Sequence, residues 1–249
     1  MIEMSNPINN VTPDKNGYPF EKWLYYANRG GFLHCYYVGK KLAYGCEEDD
    51  YIYPDGLEAD IPNAIQYLEY ASDHNIHEAC FLLGIIYMGS FDSDYANEAE
   101  AFKYIKKSAE LGNTNAQHLC GVLYETGGAG YVDEDLAYHW YVESAYHSNP
   151  RAEVDLSKHY RYKALEYPED MSDEELDEFW YYVSLSFLWA HLAADDGSDE
   201  GMYLTGLHYY DGFGVDENME KAKEYLIMAS ENGNEDAQKF LAEKFKEGE

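Results

Sequence analysis

The stretch "AFKYIKKSAELGNTNAQHLCGVLYETGGAG", Ala101 to Gly130, decides how this chain is read. Stepping forward from Ala101 by 7, 8, 5 and 3 residues lands on Ser108, Ala116, Gly121 and Tyr124. The same steps from Ala64 reach Ala71, Ala79, Gly84 and Tyr87, and from Ala137 they reach Ser144, Ala152, Ser157 and Tyr160. From Ser186 they reach Ala193, Gly201, Gly206 and Tyr209, and from Ala222 they reach Ala229, Ala237, Ala242 and Phe245. Small residues and one aromatic thus hold their phase in five copies, whose starts lie 37, 36, 49 and 36 residues apart. A periodicity of this length is the mark of a repeat architecture.

The steps are helical. Seven residues make two turns, so the first two small residues of a copy share one stripe of a first helix. Three residues past each start stands an aromatic: Tyr67, Tyr104, Trp140, Trp189 and Tyr225. Four residues past the second small residue stands a breaker, Asn75, Gly112, Ser148, Gly197 or Gly233. Gly and Asn suit the left-handed position that ends a helix. In the second helix the small residues sit 5 apart, roughly 140° around the helix, as expected for a rod packed between two neighbours. The sequence therefore predicts an all-α fold of stacked αα-hairpins, a repeat solenoid of five clear units. A worn sixth copy, Pro19, Tyr26, His34, Gly39 and Leu42, precedes them. Residues 1–17 are expected to form a flexible extension and 18–249 a single solenoid, with an insertion at about 161–178 that accounts for the spacing of 49.

These residues, and "DGFGVDENMEKAKEYLIMASENGNEDAQKFLAEKF" at Asp211 to Phe245, resemble the Sel-1-like repeat family, relatives of tetratricopeptide arrays. The resemblance covers roughly Phe20 to Phe245. It implies a right-handed superhelix whose concave wall binds protein or peptide segments; members serve as adaptors, envelope and secretion factors, quality-control subunits and immunity proteins against toxins. A secreted, cysteine-rich branch is similar to penicillin-binding, β-lactam-hydrolysing enzymes and carries a disulfide in each repeat. Here Cys35 and Cys80 share one repeat position, Cys120 holds another and Cys46 lies near a turn, so the four do not pair within repeats.

Composition narrows the partner. With 17 basic against 48 acidic residues the net charge is −31, which repels nucleic-acid phosphate and anionic lipid and attracts basic proteins. No secretory signal or long apolar run is present, which points to a cytoplasmic protein without a membrane segment. The glycines of "ETGGAG" follow a helix, so they read as an inter-repeat turn, not a phosphate cradle; "DGFGVDE" fills the same slot. "DHNIHEAC" offers His74, His77 and Cys80 without a second ligand cluster, and no metal, cofactor or catalytic motif is expected.

The expected function is non-catalytic capture of a basic protein, such as a toxin effector, on an acidic and aromatic concave face. Signalling or envelope-assembly scaffolding is the alternative. The face is assigned to first-helix residues off the core stripe: Glu69, Tyr70, Asp73, Glu143, Tyr146, His191, Asp195, Glu224 and Glu231. Acidic clusters at Cys46–Tyr51, Pro168–Glu178 and Ala194–Gly201 extend it, and Tyr181 and Tyr182 also fall off the core stripe. Ser172 and Glu175 read as a capping box that starts a helix.

Overall fold

The computed structural model describes residues 19–45 and 58–245. Twelve α-helices follow one another among them: α1 (Pro19–Ala27), α2 (Phe32–Tyr44), α3 (Ile61–Asp73), α4 (His77–Tyr87), α5 (Glu98–Glu110), α6 (Thr114–Thr126), α7 (Glu134–Tyr146), α8 (Pro150–Leu165), α9 (Asp173–Asp195), α10 (Asp199–Asp211), α11 (Met219–Glu231) and α12 (Glu235–Lys244). Odd-numbered helices are the first helices of the hairpins and even-numbered ones the second. No strand occurs among the described residues. The expected extension at 1–17 and the acidic cluster Cys46–Tyr51, with Cys46, lie outside the described residues.

Local side-chain caps start most of the helices. Asn97, Asn113, Asn218 and Asn234 cap α5, α6, α11 and α12 by accepting the third backbone N–H downstream. Ser172 caps α9, and Glu175 reaches back to the Ser172 N–H at 2.8 Å, which completes the capping box. All five breakers between paired helices are left-handed: Asn75 at φ 60°, Ser148 at 54°, Gly112 at 92°, Gly197 at 85° and Gly233 at 96°. The glycine turns after α6 and α10 fold back onto the helix they leave. Asp133 N–H donates to the Tyr124 carbonyl at 3.0 Å and Asn218 N–H to the Tyr209 carbonyl at 2.8 Å. Those N–H groups are committed to closing the turn, so the slot is an inter-repeat turn.

The described residues fall into two compact units, one up to Asp133 and one from Glu134 on. In the first, α2 packs on α3, α3 and α5 on α4, and α5 on α6. The worn N-terminal copy is a true hairpin, with Gly39 and Leu42 buried. In the second, α8 packs on α7 and α9, α10 on α9 and α11, and α11 on α12. The insertion at 161–178 forms no helix of its own. It lengthens its neighbours, giving α8 16 residues and α9 23, where α10 and α11 have 13.

The repeated small residues have one packing job. A Cβ added to Gly39 would lie 2.7 Å from Leu68 Cγ, and one added to Gly206 would lie 2.8 Å from Leu226 Cγ; at Gly84 it would collide with Ile105. In all three cases the intruder comes from the next repeat's first helix, four residues past its start. The glycine is the hole and the branched side chain fills it, so any side chain there overpacks the joint. Ser157 breaks the rule in α8, and the residue four past Ser186 is correspondingly small, Ala190. The two serines bridge the joint: Ser157 Oγ donates to the Ser186 carbonyl at 2.8 Å and Ser186 Oγ to the Ser157 carbonyl at 2.9 Å. Tyrosines add a second repeated contact: Tyr87 stacks on Tyr104 and Tyr209 on Tyr225, each with centroids 5.8 Å apart.

Candidate functional site

In α3, α5, α7, α9 and α11 the small stripe turns one face into the hairpin, and the opposite face points away from it. Counted from each repeat's start, that outward face comprises the residue just before the start and those 2, 6 and 9 beyond it. On α3 these are Asn63, Gln66, Tyr70 and Asp73; on α5, Glu100, Lys103, Lys107 and Glu110. On α7 they are Leu136, His139, Glu143 and Tyr146; on α9, Leu185, Leu188, Leu192 and Asp195; on α11, Lys221, Glu224, Met228 and Glu231.

In the first unit the structure gathers Glu69 and Asp73 beside α5. Tyr104 Oη donates to Glu69 at 3.5 Å. Burial holds the Glu69 carboxyl above the usual carboxylate range, against the pull of that hydrogen bond, and Asp73 adds to the rise. Tyr70 is half-buried: its hydroxyl donates to the Gly30 carbonyl at 3.4 Å and its ring lies 4.5 Å from His74. It is packing as much as surface. Lys107 turns inward, donating to the Ser72 carbonyl at 2.7 Å and so capping the last turn of α3.

In the second unit Tyr225 of α11, next to Glu224 in the chain, reaches His191 of α9, which lies near Asp195. Tyr225 Oη lies 3.5 Å from His191 Nδ1, which is 3.9 Å from Asp195. Burial raises the Tyr225 phenol above its ordinary range, helped by Tyr209 and by the carboxylates of Asp195 and Glu224. Glu231 is exposed at the end of α11, and Glu143 and Tyr146 are exposed on α7, with Tyr146 at 83%. Tyr181 is exposed, whereas Tyr182 stacks on Tyr160 with centroids 6.0 Å apart.

Reading the sequence for polar and aromatic side chains passes over Leu188 and Leu192. They occupy the same outward positions as Lys103 and Lys107 and are 47% and 38% exposed. The register itself is the signal that finds them.

The histidines and cysteine of "DHNIHEAC" are committed separately. His74 Nδ1 meets the Tyr70 carbonyl at 2.8 Å, His77 Nδ1 meets Asn113 at 3.2 Å, and Cys80 Sγ meets Ser72 Oγ at 3.1 Å. Cys35, Cys80 and Cys120 are buried thiols, and burial pushes Cys120 up to about 12. Among the described residues no helix is long and apolar enough to cross a membrane.

Tandem hairpins with a conserved internal register and outward-facing first helices define an αα-hairpin repeat solenoid. The chain belongs to the Sel1-repeat family: the Sel1 repeat model matches residues 34–76, 77–113, 114–149 and 199–234, more than half of the sequence. The matches leave out residues 150–198, the stretch holding the lengthened α8 and α9. A Sel1 repeat protein from Oxalobacter formigenes superposes with a TM-score of 0.70 at 22% identity, over 94% of this chain and 61% of that one. A protective antigen of uropathogenic Escherichia coli with the same type of fold gives 0.51 at 19% identity, over 92% and 53%. Chitin synthase regulatory factor 3 of Schizosaccharomyces pombe is 30% identical over 149 residues, 59% of this chain. The chain spans only 15% of that regulator's length. Sel1-repeat proteins generally mediate protein–protein interaction.

Proposed function

We propose that the protein is a non-catalytic binding module that captures a basic protein on the outward faces of its first helices. The contact residues are Glu69, Tyr70 and Asp73 in one unit and Glu143, Tyr146, His191, Asp195, Glu224 and Glu231 in the other, Glu69 and His191 bordering the outward positions, five past their repeats' starts. The observation that carries this reading is the net charge of −31 on a repeat scaffold whose outward register is rich in carboxylates. A field of that sign steers cationic partners and repels nucleic acid. In its sharper form the protein is a cytoplasmic immunity factor that covers the phosphate-binding surface of a toxin such as a nuclease.

The test begins with affinity capture at low ionic strength, with salt elution and mass spectrometry. The eluted partner is expected to have a basic surface, and its association rate is expected to fall at least tenfold between low and physiological salt. An association rate indifferent to salt overturns electrostatic capture. For the immunity form, co-expression is expected to restore growth of cells poisoned by the partner.

The similarity to chitin synthase regulatory factor 3 favours a second reading, a scaffold that docks a regulated enzyme. On that reading the eluted partner is an enzyme whose activity changes on binding, with no toxicity to relieve.

A further inference from the structure

The outward face of α9 departs from those of the other first helices. Tyr181, Leu185, Leu188 and Leu192 recur at i, i+4, i+7 and i+11, the spacing of one apolar stripe on a helix. The stripe does not face the hairpin: Val183, Ser186, Ala190 and Ala193, on the opposite side, are fully buried. Tyr181 is 61% exposed and Leu188 and Leu192 are exposed, with Leu185 half-buried. A lone surface leucine needs no explanation, but a stripe three turns long on a helix of 23 residues is a surface built for contact. In α5 the last three of these positions are Glu100, Lys103 and Lys107, so the repeat scaffold does not require leucine there.

The surroundings say what fits. Asp177 lies one turn before the stripe and Asp195 one turn after it, while α11, whose Tyr225 reaches His191, carries Glu224 and Glu231 on its outward face, with Lys221 held on the Tyr209 hydroxyl. Among the described residues none of Asp177, Glu224 and Glu231 meets a lysine or arginine. A second copy of the chain would bring these carboxylates against their own kind. We infer that the apolar stripe of α9 is the docking line for a basic amphipathic helix of the partner, whose apolar face lies on the leucines while its lysines and arginines meet the flanking acids. This deepens the proposed capture of a basic protein and rests on it.

The probe is a labelled leucine/lysine peptide of about four helical turns with its leucines on one face, followed by fluorescence anisotropy at low salt. Wild type is expected to bind it saturably. Leu188→Ser with Leu192→Ser is expected to weaken binding at least tenfold with an unchanged circular dichroism spectrum, and a scrambled peptide of equal composition to bind at least tenfold more weakly. A second pair, Glu224→Gln with Glu231→Gln, is expected to weaken binding about threefold without touching the stripe. If the leucine variant, or the scrambled peptide, binds as tightly as the original pairing and salt still weakens it, the docking line is wrong while electrostatic capture stands. Absence of salt-sensitive binding to any of these peptides removes both. Self-association in sedimentation that disappears in the leucine variant assigns the stripe to a second copy and overturns the inference.

Discussion

On α5 the four outward positions carry Glu100, Lys103, Lys107 and Glu110; on α9 the same positions carry Leu185, Leu188, Leu192 and Asp195. Their inward positions are nearly interchangeable: Ala101 and Ser108 on one helix, Ser186 and Ala193 on the other, all buried. The inward set is fixed because each small side chain must admit a neighbouring helix. The outward set meets water and is free to follow a partner. On α5 it is used internally, with Lys103 paired to Glu100 at 2.7 Å and Lys107 holding the end of α3. On α9 Leu188 and Leu192 are left open. Fold and recognition are thus written on opposite faces of the same helices.

The sharpest way to break this contrast is to overfill the inward set. Gly206→Leu drives a side chain into Leu226 and is expected to cost about 3 kcal/mol in urea denaturation. Gly206→Ser combined with Leu226→Ala copies the Ser157/Ala190 joint and is expected to cost less than the two single changes added together.

A second test uses Glu153, buried in α8 directly after the small residue Ala152, with Oε2 lacking a hydrogen-bond partner. Burial, and then Asp196, push its carboxyl up to about 7. The same repeat position holds glutamine in α6 and α12, where Gln117 and Gln238 each donate to a carbonyl at the end of the preceding helix at 3.4 Å. The folded state retains a proton that the unfolded chain releases above about 4.5, so this group's contribution to stability falls as pH rises from about 4.5 to about 7. Glu153→Gln is expected to stabilise by about 2 kcal/mol at pH 8 and to change little at pH 4. Buried His208 has the opposite slope. Burial lowers it to about 4 from 6.5, so its contribution is complete above 6.5 and is lost as pH falls toward 4. Thermal melts of Glu153→Gln across this range are therefore expected to lose the Glu153 slope and to keep those of His208 and Glu69.

A smaller effect is expected at the breakers. Gly112 has φ 92° and open space where a Cβ would sit, so Gly112→Ala is expected to cost about 1 kcal/mol from backbone conformation alone. Ser148 already bears that strain at φ 54°, and Ser148→Gly is expected to gain about 0.5 kcal/mol. The smallest change belongs to the outward set: Leu188→Ser with Leu192→Ser is expected to shift stability by no more than about 0.5 kcal/mol. A loss of several kcal/mol there in denaturant would mean that the stripe packs within the fold.

Much of the architecture was legible in the residues. Spacing located the helix pairs, the capping box at Ser172 and the five left-handed breakers, including the two that are not glycine. These features are local: a cap, a turn or a small stripe is set by residues within a few positions of one another. The candidate face was legible in part. Of the carboxylates and aromatics chosen, the structure brings His191 and Asp195 near Tyr225 and leaves Tyr146 exposed. The choice treated Tyr70 like the exposed tyrosines, although its hydroxyl donates to the distant Gly30 carbonyl and its ring packs on His74 one turn on. It overlooked Leu188 and Leu192, because leucine in a helix is read as core unless its neighbours are known.

By itself the sequence determined that the chain is all-helical, that it repeats, where its helices stop and that its field is negative, since each follows from spacing, backbone preference or charge count. The tertiary structure alone decided that the insertion lengthens α8 and α9, that Lys107 turns inward and that the leucines of α9 face out. Those outcomes depend on which helix lies against which, and contacts between residues far apart in the chain leave no period to read.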